Sequence, residues 1–231
     1  MPTLHFTLAG GGSTEVDVRY ALNCGYAGRD TEQVQHHIDE LAELGIPGPS
    51  TIPTLYPLSA TLVSQAGEAQ VAHAQTSGEA EWAMIVPDGA AGPDDYLVTA
   101  ACDHTDRALE VHGVAWSKQS APDFLGDLAW RWGDVRDSFD TFTLRGWVTN
   151  DGVEEMIQDG SPALLLSPDY WIDRLGEAGL LRPGTVVMSG TIPMKAGVDQ
   201  FADAWRVELA APDGTASTTE YTVEVLPEPW E

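Results

Sequence analysis

The chain has 231 residues, enough for one large domain or two small ones, and its 43% hydrophobic content supports a sizeable core. Its 36 acidic residues against 11 basic ones give a formal net charge of −25. A surface that negative repels phosphate backbones and anionic membranes, so nucleic-acid and membrane partners are disfavoured.

No apolar run is long enough for a transmembrane helix, and the first residues lack a basic region followed by a long apolar core. Cys24 and Cys102 are too few for a disulfide scaffold. A reduced, cytoplasmic compartment is the expectation. The only lysines are Lys118 and Lys195, so a lysine beside a carboxylate cluster carries information in this chain.

Residues 1–22 predict two short strands around the turn Gly10-Gly11-Gly12-Ser13, with Val16, Val18, Tyr20 and Leu22 alternating along the second. A glycine-punctuated loop at 23–30 leads into a helix capped by Asp30 or Thr31. Val34, Ile38, Leu41 and Leu44 recur there at helical spacing and Gly45 ends it. His37 lies at the border of the apolar face, with Glu40 one turn on and within reach of both His36 and His37. Such a pair can orient an imidazole as a general base, or simply be the polar edge of an amphipathic helix. Residues 45–59 hold four prolines and read as an irregular connector.

From Ala60 the pattern turns to strands, at 60–64, 69–75, 81–86 and 96–102, with a turn over 86–93. Glu79 and Glu81 project from one side of a strand, because successive side chains alternate faces. Asp103 ends the next apolar run. Close carboxylates repel unless a cation or proton sits between them, and three oxygen donors at strand ends suit a hard divalent cation with open positions. The plainer alternative is a solvated glutamate pair. Arg107 follows four residues after Asp103, and Lys118 lies beyond.

Residues 127–132 predict a short helix or turn, 139–148 a strand, and Asn150-Asp151-Gly152 a turn. A helix at 169–178 precedes a strand at 185–188 that ends in Ser189-Gly190-Thr191. Strands at 205–209 and 219–225 close the chain around Pro212-Asp213-Gly214. With no repeat and no long linker, one domain over 1–231 is expected, with 23–58 as a helical cap or lid.

The order of these motifs resembles the fumarylacetoacetate hydrolase superfamily across most of the chain, and most closely its DUF2848 branch. Glu79, Glu81 and Asp103 match a Glu-x-Glu and a later Asp that hold Mg²⁺ or Mn²⁺. Arg107 keeps the family's spacing after the Asp, and Lys118 stands in a Lys-Ser-Phe-like segment. Asn150-Asp151-Gly152, Gln158-Asp159-Gly160 and Ser189-Gly190-Thr191 follow in family order. Gly28-Arg29-Asp30, followed by His37 and Glu40, is similar to the Gly-Arg-Asn-Tyr segment and its His-x-x-Glu pair. The spacing here is longer and the Asn-Tyr is missing, so His36 can replace His37. Glu110 stands where some hydrolases have a Gln.

The resemblance implies an α+β, β-rich fold, a mixed β-sandwich roll with a few peripheral helices, and a homodimer. It implies a hydrolase of C–C bonds in 2-oxo or β-dicarbonyl acids such as acylpyruvates. His37, Glu40, Lys118 and Arg107 would be catalytic, and Thr191, Arg29 and Gln119 would bind substrate. A decarboxylase, dehydratase or tautomerase on the same scaffold, or a non-catalytic dicarboxylate-binding protein, are the alternatives.

Overall fold

The computed structural model of the chain describes residues 1–43 and 48–228. In chain order the elements begin with β1 (Thr3–Leu8), β2 (Ser13–Asp17), β3 (Tyr20–Gly25), α1 (Thr31–Glu43) and β4 (Thr54–Leu58). There follow β5 (Val63–Ser64), β6 (Glu68–Val71), β7 (Thr76–Ser77), β8 (Ala80–Ile85), β9 (Leu97–Asp103) and β10 (Thr105–Asp106). Then come α2 (Arg107–Glu110), α3 (Val114–Lys118), β11 (Asp123–Leu125), β12 (Leu128–Arg131) and α4 (Trp132–Val135). The last are β13 (Thr143–Asn150), β14 (Val153–Gly160), α5 (Pro168–Glu177), β15 (Thr185–Met188), β16 (Ala204–Ala210) and β17 (Ala216–Val225).

Among the described residues ten strands form a mixed main sheet, ordered β2-β1-β12-β9-β8-β15-β3-β4, with β11 joined to β9 and β5 joined to β11. A second sheet of five strands runs β14-β13-β16-β17-β6, and β7 pairs with β10. One face of the main sheet packs Trp82, Met84, Val98 and Ala100 against Trp205, Val207 and Tyr221 of the second sheet. The opposite face carries Ala83, Ile85, Leu97 and Ala101, covered by Leu4, Phe6 and Val63. Because β8 and β9 are buried on both faces, they read as unbroken apolar runs rather than as alternations. The tryptophans serve this packing: Trp82, Trp132, Trp171 and Trp205 are fully buried.

Several local expectations give way to tertiary pairing. The predicted alternation over 15–22 breaks between β2 and β3, where the Arg19 and Tyr20 amides both donate to the Gly184 carbonyl, at 2.8 and 3.1 Å. The strand predicted at 60–64 is a 3₁₀ turn at Ala60–Leu62 followed by only two strand residues. Residues 128–131 form a strand rather than a helix, because β12 fills the gap between β1 and β9. Propensity is a weak guide where two neighbouring strands offer hydrogen bonds. The expected cap segment 23–58 begins in β3 and ends in β4, which pair antiparallel with Asn23 opposite Tyr56. Between them lies α1, capped by Asp30, whose Oδ1 accepts the Glu32 and Gln33 amides. Leu44 and Gly45, expected to finish this helix, lie outside the described residues. No described helix is long and apolar enough to cross a membrane.

Candidate metal centre

Strand alternation places Glu81 on the face of β8 that carries Ala83 and Ile85, and Asp103 on the matching face of β9 with Ala101. Glu79 precedes β8 in the same phase, and its carbonyl accepts the Asp103 amide at 3.1 Å. One oxygen from each of Glu79, Glu81 and Asp103 lies within 4.8 Å of the others. Gly78 makes the approach possible, since a Cβ there would fall 2.6 Å from the Trp205 ring and 2.7 Å from Cys102 Sγ.

Each carboxylate has a distinct surrounding. Glu81 is 0% exposed; its Oε2 accepts the Gly190 amide at 2.9 Å and its Oε1 has no partner. Burial, then the charge of Asp103, pushes its pKa well above the carboxylate range. Gly190 reaches it through a left-handed φ of +81°, and a Cβ there would lie 2.7 Å from the Cys24 carbonyl. Burial also acts to raise Glu79, but the charges of Lys118 and Arg107 and their hydrogen bonds outweigh it and hold its pKa at about 2.

The two cations expected from the sequence are at the cluster. Lys118 Nζ donates to Glu79 Oε2 at 2.9 Å, to Asp103 Oδ2, and to Thr105 Oγ1 at 3.4 Å. Burial opposes its charge, but Asp103, Glu79 and Glu81 raise its pKa well above that of a free lysine. Arg107 Nη2 donates to Glu79 Oε1 at 2.8 Å, Nη1 to Glu110 Oε1 at 2.8 Å, and Nε to Ser77 Oγ at 2.7 Å. Both ride on short helices after β10, the first capped by Asp106, which accepts the Leu109 amide.

Three further residues join the cluster: Asn23 and Asp123, which the sequence does not single out, and Glu110, noted there only by resemblance. Asn23 Nδ2 donates to Asp103 Oδ2 at 2.9 Å, while its Oδ1 has no partner. Asp123 of β11 stands opposite Asp103 in register, 0% exposed, with no donor on either oxygen. Burial, then Asp103, drives its pKa well above the carboxylate range. Glu110 completes the group through Arg107. The sequence signal was faint: an acid heading the apolar pair Phe124-Leu125, and an Asn in a buried strand.

Five carboxyls, from Glu79, Glu81, Asp103, Glu110 and Asp123, thus face two cations. A buried surplus of negative charge calls for protons or a metal. All-oxygen donors and the unpartnered oxygens of Glu81 and Asn23 fit a hard divalent cation such as Mg²⁺ or Mn²⁺.

Thr191, Arg29 and Gln119 spend their side-chain hydrogen bonds away from the three carboxylates. Thr191 Oγ1 donates to the Ala80 carbonyl at 3.0 Å and accepts from Gln158 Nε2 at 2.8 Å. Arg29 forms a bidentate pair with Asp140 at 2.7 and 2.6 Å and also donates to the Leu165 carbonyl. Gln119 ties α3 to the end of β4, donating to the Pro57 carbonyl and accepting the Ser59 amide. His37 and Glu40 belong to α1, but their side chains lie outside the described residues; His36 is exposed. His104 points away from the cluster, between Tyr221 Oη at 2.8 Å and Thr76 Oγ1 at 2.9 Å, and burial lowers its pKa to about 4. Cys102 is a buried small residue against Tyr221, and burial raises its thiol pKa.

One family, described as protein of unknown function (DUF2848), matches residues 24–221. No curated protein matches the sequence. Among solved structures, 2-keto-3-deoxy-D-arabinonate dehydratase complexed with magnesium and 2,5-dioxopentanoate superposes with a TM-score of 0.62 and 14% identity, covering 91% of this chain and 75% of that one. The 5-carboxymethyl-2-hydroxymuconate delta-isomerase from Mycobacterium smegmatis gives a TM-score of 0.58 at 19% identity, covering 94% and 87%. Maleylpyruvate hydrolase from Sphingobium sp. SYK-6, in complex with manganese(II) and pyruvate, gives 0.55 at 16% identity, covering 88% and 70%. The fold expected from the sequence, a β-rich fumarylacetoacetate hydrolase-like one, is the fold observed.

Proposed function

This chain belongs to the DUF2848 family, and we propose that it is a metal-dependent hydrolase or lyase acting on a 2-oxo acid. The observation that carries the reading is the triad: three carboxylates within 4.8 Å, two of them buried and one of those with an oxygen that nothing else satisfies. The fold is shared with structures of enzymes that were solved with magnesium or manganese and a 2-oxo acid.

Glu79, Glu81 and Asp103 would hold Mg²⁺ or Mn²⁺. When bound, such an ion polarises a carbonyl and neutralises negative charge developing on its oxygen. Lys118 and Arg107 supply positive charge at the same point, in surroundings dry enough to make it effective toward a substrate carboxylate or an enolate. Asn23 and Thr105 orient Asp103, and the Gly190 amide fixes Glu81. Thr191 steadies the turn that brings Gly190 there, Gln119 secures the wall beside Lys118, and Arg29 anchors the start of α1. His37, oriented by Glu40, would take a proton from water in C–C bond hydrolysis of an acylpyruvate-like acid. His36 is the other candidate for that role.

A second reading is dehydration, decarboxylation or tautomerisation of a 2-oxo acid. It is favoured by Lys118 and Arg107 both being at the carboxylates, since these reactions need no water-activating base.

Calorimetric titration with Mn²⁺ and turnover of a 2-oxo acid panel test the proposal. Binding of Mn²⁺ to wild type and its loss in Glu81→Ala are expected; the reading fails if wild type binds none. His37→Ala separates the two reactions, because hydrolysis loses its base and the others do not.

A further inference from the structure

Resting on the role given above to Arg107, we propose that Ser77 and Gln200 are positioning residues that aim its guanidinium, Gln200 acting through the Ser77 hydroxyl.

Arg107 is gripped on one edge by two side chains that lie two residues apart in the chain. Its Nε donates to Ser77 Oγ at 2.7 Å and its Nη2 to Glu79 Oε1 at 2.8 Å. Nη1 donates to Glu110 Oε1 at 2.8 Å. The guanidinium still has N–H bonds to spare after these, whereas Lys118 spends its own on Glu79, Asp103 and Thr105. Arg107 is therefore the cation that can meet a substrate carboxylate without giving up an existing partner, and its orientation sets how that carboxylate is met.

The bond from Arg107 Nε depends on where Ser77 turns its proton. A serine hydroxyl can donate or accept, but Nε can only donate, so Ser77 must send its own proton elsewhere. Gln200 Oε1 takes that proton at 3.0 Å, and Ser77 is 0% exposed, out of reach of bulk water. The same logic fixes the Gln200 amide, whose oxygen and not its nitrogen must face Ser77. The backbone leaves only the hydroxyl free to turn. Ser77 pairs with Thr105 between β7 and β10, and the Arg107 amide donates to the Gln75 carbonyl at 2.9 Å.

Gln200 lies in the connection from β15 to β16, residues 189–203. That connection also supplies the Gly190 amide to Glu81 at 2.9 Å. It is moored to the second sheet, where the Lys195 amide donates to the Ile157 carbonyl at 2.7 Å and the Asp203 amide to the Thr149 carbonyl at 3.0 Å. One segment thus fixes a carboxylate of the triad near its start and a cation near its end. Without Gln200, Arg107 loses its grip on Ser77, while Glu79 keeps Lys118 on its other oxygen.

The test uses the full chain and two measurements. In EDTA, NMR follows the Arg107 Nε–H, assigned by its loss in Arg107→Lys. Its exchange with water should quicken about tenfold in Gln200→Leu and in Ser77→Ala, and return to the wild-type rate in Gln200→Glu, which keeps the acceptor. With Mn²⁺ present and pyruvate as probe, calorimetry should show pyruvate weakened about fivefold in Gln200→Leu, with Mn²⁺ affinity within about twofold of wild type. The double variant should lose no more than Ser77→Ala alone, because Gln200 acts through Ser77. Wild-type exchange in Gln200→Leu overturns the inference, and so do losses that add in the double variant. If wild type binds no Mn²⁺ or no pyruvate, the functional reading falls, and the exchange of the Arg107 Nε–H still decides the positioning.

Discussion

Glu81 and Gly190 meet in a buried hydrogen bond of 2.9 Å that satisfies one carboxylate oxygen and leaves the other without a donor. A glutamine in place of Glu81 keeps the acceptor for Gly190 but loses the charge a cation needs. Mn²⁺ is expected to raise the melting temperature of wild type by mass action and to leave that of Glu81→Gln unmoved. With EDTA present, the variant should be at least as stable as wild type, because one acid fewer is then buried without compensation. Thermal denaturation with and without Mn²⁺ checks both statements.

Gly190→Ala places a Cβ 2.7 Å from the Cys24 carbonyl at a φ of +81°. Both the contact and the backbone angle resist it, so urea denaturation should show a loss of about 2 kcal/mol or more. Mn²⁺ affinity should fall too, since the shifted turn no longer fixes Glu81.

Lys118→Met removes the ammonium that Glu79 and Asp103 share. In EDTA, Asp103 then loses its ammonium and Glu79 keeps Arg107 alone, at a cost of about 3 kcal/mol. Mn²⁺ should restore a large part of that loss by supplying the missing positive charge. Urea midpoints measured in EDTA and in Mn²⁺ give the comparison, and equal losses in the two would contradict it.

His104 supplies a pH dependence. Its folded-state pKa is about 4, against an ordinary 6.5, because burial disfavours the charged ring. As pH falls below 6.5 the unfolded chain takes up a proton that the folded chain refuses until about pH 4. Its contribution is therefore complete above pH 6.5 and lost on acidification to about pH 4, roughly 3 kcal/mol in all. Protonation of Glu81 and Asp123 acts in the opposite sense over the same range in the metal-free protein, so the check is a difference: wild type should lose stability relative to His104→Asn as pH falls from 6.5 to about 4.

Much of the centre was legible because strand alternation is a strict rule. Glu79 and Glu81 had to share a face, while spacing alone left a solvated pair open; the resemblance favoured joining Asp103 to them, and pairing of β8 with β9 brings it there. Helical spacing likewise marked α1 and α5. Asp123 and Asn23 were hidden because what brings them to Asp103 is pairing between strands distant in sequence, β11 with β9 and β3 across the curled sheet. Thr191, Arg29 and Gln119 were assigned by motif order, which does not tell where a hydroxyl or guanidinium spends its donors; here these go to Ala80, Asp140 and Pro57. The helices α2 and α3 carry no apolar periodicity, being only four and five residues long, and depend on Asp106 and Gly113 at their starts.

The acids and Tyr56 occupy unequal positions in the main sheet. Glu81 and Asp103 belong to β8 and β9, which have strands on either side, whereas Tyr56 belongs to β4, which ends the sheet and has β3 alone for a neighbour. Substitutions in the last strand disturb few contacts, while substitutions in the middle disturb the whole core. Natural variation can therefore rework the last strand while the strands that carry the acids stay fixed. Relatives of this chain should diverge first at Tyr56 and last at Glu81 and Asp103.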